Sequence, residues 1–308
     1  MNEVKVSSPA TISNLVCGFD IIGLALHEPQ EFVTIKHRKN PGISIQHIDK
    51  YNIPTDPKMN VAGVALQSML DELGIKSGLE LIIDKKINPG SGLGSSAASA
   101  AGAIVAANIL LGINLSEKDL VRFAMHGEVV ASGAKHADNI APCIYGGVTI
   151  IRDTDTYDII RLKSPPLFIS IVHPQIEIKT SESRKILPKE IPLKDAVIQW
   201  GNIAGLVAGF MQNDLDLIGR SMNDIIIEPV RSKFIPGFDE LKKKCMDAGA
   251  LAGGISGSGP SVFMFSKDAD TGKKLRSIMC DVYNNLGMEY SDYLTTINNE
   301  GVKVLETK

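Results

Sequence analysis

The order of predicted elements makes this an α+β chain of two domains, and three observations carry that reading. The chain has 308 residues, and at roughly 150 residues per domain that length fits two. Its opening is β-rich and then alternates helix and strand around a glycine-rich turn, until the cluster Lys163-Ser164-Pro165-Pro166 shifts the composition before a fresh apolar strand. Beyond that cluster the pattern reads βα, then ββαβ, which is a split βαβ sheet with extra helices inserted. The expected division is 1–163 and 164–308.

The elements follow in order from periodicity and punctuation. Residues 4–8 read as a strand, and 32–36 and 43–46 as two more, separated by Asn40-Pro41-Gly42. Val61, Val64, Ala65, Met69 and Leu73 recur at helical spacing until Gly74 stops them, so a helix is expected over 60–73. Residues 79–83 form a strand, the glycine-rich turn follows, and an Ala-rich helix occupies 95–111. Ser116-Glu117-Lys118-Asp119 has capping-box spacing and opens a helix that runs to 130. Strands are then expected at 147–151 and 167–172, with helices at 193–211, 214–223 and 238–248. A strand pair lies around Gly253-Gly254 and 261–265, followed by a helix over 269–286 and a last strand over 290–297.

Composition excludes several classes. Hydrophobic residues make up 44% and charged residues 22%, ordinary for a globular protein and wrong for a disordered or fibrous one. Lys plus Arg number 32 against 35 Asp plus Glu, a net charge of −3, so no nucleic-acid partner is expected. Cys17, Cys143, Cys245 and Cys280 form no C-x-x-C pair and fit a reducing cytoplasm. The histidines lack zinc-site spacing, while a metal held by carboxylates stays open. Residues 1–8 carry Glu3 and Lys5 and no apolar run, so no signal peptide is expected. No charge stands between Lys86 and Glu117, a length that could cross a bilayer. Its Gly, Ser, Ala and Asn content transfers poorly, however, and predicts a buried helix rather than a membrane span.

Four segments carry chemistry. Pro89-Gly90-Ser91-Gly92-Leu93-Gly94-Ser95-Ser96-Ala97-Ala98 lies between a strand and a helix, where free N–H groups and the positive end of the helix dipole converge on one point. The glycines allow positive φ and close approach, and the serines add donors or a magnesium ligand. It is not a Walker A loop, because no Lys follows the last glycine, and it lacks dinucleotide-fingerprint spacing. A tight turn beside a small-residue helix is the alternative. Gly253-Gly254-Ile255-Ser256-Gly257-Ser258-Gly259-Pro260-Ser261 is too glycine-dense for a plain hairpin and implies backbone close to a ligand or another loop. Asn14-Leu15-Val16-Cys17-Gly18-Phe19-Asp20 and His136-Ala137-Asp138-Asn139-Ile140-Ala141-Pro142 are, taken singly, explained by turn chemistry.

Together the four segments resemble the GHMP kinase superfamily, whose phosphate loop reads P-x-x-x-G-L-G-S-S-A. Within it the chain looks like the homoserine kinases over nearly its full length. The resemblance rests on Pro9-Ala10-Thr11-Ile12-Ser13-Asn14, Gly18-Phe19-Asp20 and Gly92-Leu93-Gly94-Ser95-Ser96-Ala97, and on the segment 136–142. It extends to Arg184-Lys185-Ile186-Leu187-Pro188, Arg231 with Ile235-Pro236-Gly237-Phe238, and residues 255–261. Val16-Cys17 departs from the family's usual Gly and Pro or small residue, and Pro89 stands one residue nearer Gly92-Leu93 than usual.

The resemblance implies an N-terminal domain like the second domain of ribosomal protein S5 and a ferredoxin-like C-terminal domain, with the active site between them. It implies ATP and Mg²⁺, the nucleotide held by Asn60, Pro89, Gly90, Ser91, Gly92, Leu93, Gly94, Ser95 and Ser96, and the metal by Ser96 and Glu128. The implied acceptor is L-homoserine, with Arg184 and Arg231 on its carboxylate, Asp20 and Asn14 on its ammonium, His136 and Asn139 at the reacting end, and Gly257 nearby. Asn139, Glu128 and Ser96 are the implied catalytic set. Asn139 cannot take a proton, so positioning and charge stabilisation are expected to do the work. A homodimer is also implied. Another GHMP kinase, or a non-catalytic relative binding ATP or an amino acid, are the alternatives.

Overall fold

Strand β1 (Glu3–Ser13) is the spine of the first sheet; it alternates at its start and is then buried without a break from Val6 to Ser13, with the polar Ser7, Ser8, Thr11 and Ser13 included. The computed structural model describes residues 1–132, 136–176, 178 and 180–308. β2 (Ile22–His37) lies antiparallel beside β1, and β3 (Gly42–His47) comes next in the chain. The Asn40-Pro41-Gly42 turn does not close a hairpin, because β4 (Gly78–Asp84) inserts between β2 and β3 and pairs in parallel with β3. β5 (Val148–Asp153) and β6 (Asp158–Leu162) complete the sheet on the other half of β2.

Among the described residues, four helices accompany this sheet: α1 (Val61–Glu72), α2 (Ser95–Leu110), α3 (Glu117–Ser132) and the short α4 (Ile140–Tyr145). α2 is buried on almost every face, since its Ala, Ser and Gly side chains let β1, β2 and the other three helices close around it. Such packing is why the uncharged stretch needs no membrane, and among the described residues no helix is long and apolar enough to cross one. Helix starts follow their caps. Asn60 Oδ1 accepts from the N–H groups of Ala62 and Gly63, and Ser116 Oγ accepts from that of Asp119.

The chain leaves the first sheet at Leu162 and enters the second with β7 (Phe168–Pro174). α5 (Thr180–Lys185), α6 (Leu193–Gln212), α7 (Leu215–Ser221), α8 (Glu228–Arg231) and α9 (Phe238–Asp247) precede β8 (Ala252–Ile255) and β9 (Val262–Ser266). α10 (Ala269–Asn285) and β10 (Tyr290–Thr296) follow. The antiparallel order β10-β7-β9-β8 is that of a ferredoxin-like split βαβ sheet. β10 is not the last strand, because β11 (Lys303–Thr307) returns to the first sheet and pairs with β1. The two sheets are stitched where Glu28 N donates to Thr295 Oγ1 at 2.8 Å and Leu26 bridges Ile297.

Candidate functional site

Between the loops that follow β1 and β4 and the β8–β9 connection lies a cleft of about 440 Å³. Gly94 caps α2 in a left-handed conformation, φ 67°, and contributes no side-chain acceptor. The first N–H groups of α2 are therefore left for a ligand.

The glycine-rich loop is held from behind. Gly92 has φ 81°, and a Cβ there would stand 2.5 Å from Ser256 O and 2.7 Å from Gly259 O. Ser256 Oγ donates to Gly92 O at 2.6 Å, and Ser261 N donates to Ser91 O at 3.2 Å. The second glycine-rich segment is thus dense because it packs against the first. Leu93 is in the core, Ser91 Oγ accepts from Leu93 N, and Ser95 Oγ donates to Ile87 O at 2.8 Å. These three hold the loop's shape, while Pro89 and Gly90 are exposed at its entrance. Ser96 turns into the cleft, its Oγ donating to Glu128 Oε1 at 2.7 Å. Burial pushes the Glu128 carboxyl upward, opposed by this bond and by the charge of Lys85. A hydroxyl beside a carboxylate is a pair of hard oxygen donors, which suits Mg²⁺ completed by phosphate oxygens and water. Among the described residues no cluster of three or more His, Cys, Asp or Glu could hold a metal without such help.

Sequence reasoning missed the buried cluster beneath this loop. Lys85 Nζ donates to Glu31 Oε2 at 3.0 Å, Ser95 O at 2.9 Å and Ser99 Oγ at 2.6 Å. Asn60 lines the cleft, yet its amide is committed to protein. Beyond capping α1, its Nδ2 donates to Pro54 O at 2.8 Å and lies 3.0 Å from His47 Nε2.

The other end of the cleft is built on an unusual turn. Asn14, Leu15 and Val16 all have positive φ, 74°, 40° and 66°, as does Asp20 at 64°, and a β-branched residue there is strained. Asn14 ties the turn together: its Oδ1 accepts from Asp20 N at 3.0 Å, and its Nδ2 donates to Gly257 O at 3.0 Å. Gly257 O also accepts from Arg231 Nη1 at 2.8 Å. Arg184 Nη2 meets Asp20 Oδ1 at 2.5 Å and His136 Nδ1 at 3.4 Å. Both guanidinium groups lie over the ring of Phe19, at 5.3 and 5.1 Å from its centroid. Burial, then the charge of Arg184, lowers Arg231 to about 10, and the same two causes lower His136. Asp138 is driven up to about 7, first by burial and then by the charges of Asp20 and Glu128. Asn139 Oδ1 accepts from Thr11 Oγ1 at 2.8 Å.

Apart from Leu93, every residue expected at the site lines this one cleft. A phosphate-loop helix start at one end and two arginines with an aspartate at the other define a class of small-molecule kinase. The model of the GHMP kinases N terminal domain matches residues 60–147, and that of the GHMP kinases C terminal matches 206–285. A homoserine kinase of Chloroherpeton thalassium is 40% identical over 319 residues, covering 99% of this chain and all of that one. One of Methanococcus maripaludis is 42% identical over 87% of this chain and 89% of its own length. The crystal structure of homoserine kinase from Cytophaga hutchinsonii superposes with a TM-score of 0.95 at 44% identity, covering 99% of this chain and 98% of that one. The chain belongs to the homoserine kinase family of the GHMP kinases.

Proposed function

We propose that the protein transfers the γ-phosphoryl group of ATP to the side-chain hydroxyl of L-homoserine, forming O-phospho-L-homoserine for threonine biosynthesis. The observation that carries this reading is the Asp20–Arg184 ion pair, with Arg231 beside it, at the opposite end of the cleft from the α2 start. A zwitterionic amino acid fits such a place, its ammonium to the aspartate and its carboxylate to the guanidinium forks. A neutral acceptor would leave those charges without use.

In this reading the N–H groups at the start of α2 take the phosphates, and Pro89 and Gly90 border the nucleotide. Asn60 shapes the nucleotide pocket from behind through the bonds of its amide. Asn14 acts on the ammonium through the turn that aims Asp20. Ser96 and Glu128 hold Mg²⁺, which when bound neutralises charge on the phosphoryl group. Asn139 and His136 hold the reacting hydroxyl, and Gly257 keeps Asn14 and Arg231 in place.

The division near 163/164 is proposed as the domain boundary, with β11 crossing back. A cytoplasmic location accords with four free thiols. A homodimer is proposed through α6, where Leu193, Val197, Trp200, Ala204 and Met211 form one exposed stripe. An ADP-release assay across homoserine, mevalonate, galactose and shikimate tests the function. Turnover with homoserine alone supports it, and preference for any other acceptor overturns it.

A further inference from the structure

We infer that Thr11 is a positioning residue that fixes the Asn139 carboxamide as a hydrogen-bond donor to the acceptor hydroxyl and ties it to the phosphate loop. This rests on the reading of Asn139 as the group at that hydroxyl. Asn139 is the N-cap residue of α4, where an asparagine side chain ordinarily accepts from the first turn, yet it makes no capping bond. Its Oδ1 turns instead to Thr11 Oγ1, 2.8 Å away and 128 residues distant in the chain.

The consequence is directional. With Oδ1 occupied by the threonine hydroxyl, the amide rotation is set and Nδ2 is the end left for the cleft. An amide nitrogen only donates, so Asn139 can grip the oxygen of the acceptor and leave its proton pointing elsewhere. Thr11 meets the phosphate loop at the same time. Its N–H donates to Leu93 O at 3.0 Å, and a Cβ on Gly94 would stand 1.9 Å from Thr11 Oγ1 and 3.0 Å from Asn139 Oδ1. Glycine at the cap of α2 is therefore required by Thr11 as well as by the positive φ. One fully buried side chain on β1 sets the spacing between the phosphate cradle and the donor to the nucleophile.

The test is kinetic. Thr11→Val keeps the β-branched shape and removes the hydroxyl. It should lower kcat on the order of tenfold, the value of a lost orienting hydrogen bond, with KM for ATP and homoserine within about twofold. Thr11→Ser should restore turnover, and in an Asn139→Leu background Thr11→Val should cost nothing further. Equal losses from Thr11→Val in both backgrounds, or a rise in KM for ATP with kcat unchanged, would overturn the inference while leaving the role of Asn139 standing. Undiminished turnover in Asn139→Leu alone would remove that underlying role, and the inference with it. Thermal unfolding of each variant verifies that the fold persists, and Thr11→Ala gives a second route should Val pack poorly.

Discussion

Replacing Lys85 with Met leaves the Glu31 carboxylate in the core beneath the phosphate loop with Ser99 as its remaining partner. Both members of the pair are buried, with side-chain exposures of 5% and 0%. Taking one charge from such a pair costs about 3–5 kcal/mol, because the survivor keeps its desolvation penalty and loses its counter-charge. Burial already raises the Glu31 pKa above 4.5, and the charge of Lys85 is the largest influence opposing that rise. Without it the folded-state pKa climbs further. A carboxyl group raised in the folded state favours folding below its unfolded pKa and loses that contribution as pH rises through the folded value. The variant should therefore be closest to wild-type stability near pH 4.5 and lose stability steadily toward pH 8. Urea unfolding at a series of pH values measures this directly, and Glu31→Gln in the same chain should recover most of the loss. A loss below about 1 kcal/mol at pH 8, the range of an exposed pair, or one independent of pH, would refute the reasoning.

Arg231→Leu should weaken homoserine binding by about 2–5 kcal/mol, the range for a charge pair losing one partner, while ATP affinity, read by calorimetry, stays within a few-fold. Glu128→Gln should raise the magnesium concentration needed for half-maximal rate and cut turnover by orders of magnitude; full activity at low magnesium would make Glu128 a structural carboxyl. If the proposed dimer forms through α6, Trp200→Glu should convert it to a monomer in sedimentation velocity, and an unchanged sedimentation coefficient would remove α6 as the interface. Gly94→Ala should lower ATP affinity and the unfolding midpoint together, since the added methyl meets Thr11 inside the protein.

Much of the fold was legible because local chemistry marks it. Asn60, Ser116 and Asp214 cap the helices that follow them, and the glycines of both loops are needed where φ is positive or backbones meet. β11 escaped because all five of its residues are exposed, which leaves no alternation to read. β6 is a half-exposed edge strand, and Pro29 interrupts the pattern of the long β2. At the site, residue types that bind charge could be named from the four segments. Lys85 with Glu31 and Thr11 with Asn139 could not, since each pair joins residues far apart in sequence by one long-range contact. The left-handed run through Leu15 and Val16 was equally hidden, as neither residue type signals positive φ.

The most direct measurement is phosphorus NMR of a reaction containing the protein, ATP, Mg²⁺ and L-homoserine. The account predicts a phosphomonoester resonance that grows in step with ADP and co-migrates with O-phospho-L-homoserine, and its absence when the amino group is removed or the carboxylate esterified. ADP formed without that resonance, or an equal yield from the deaminated or esterified acceptor, would contradict it.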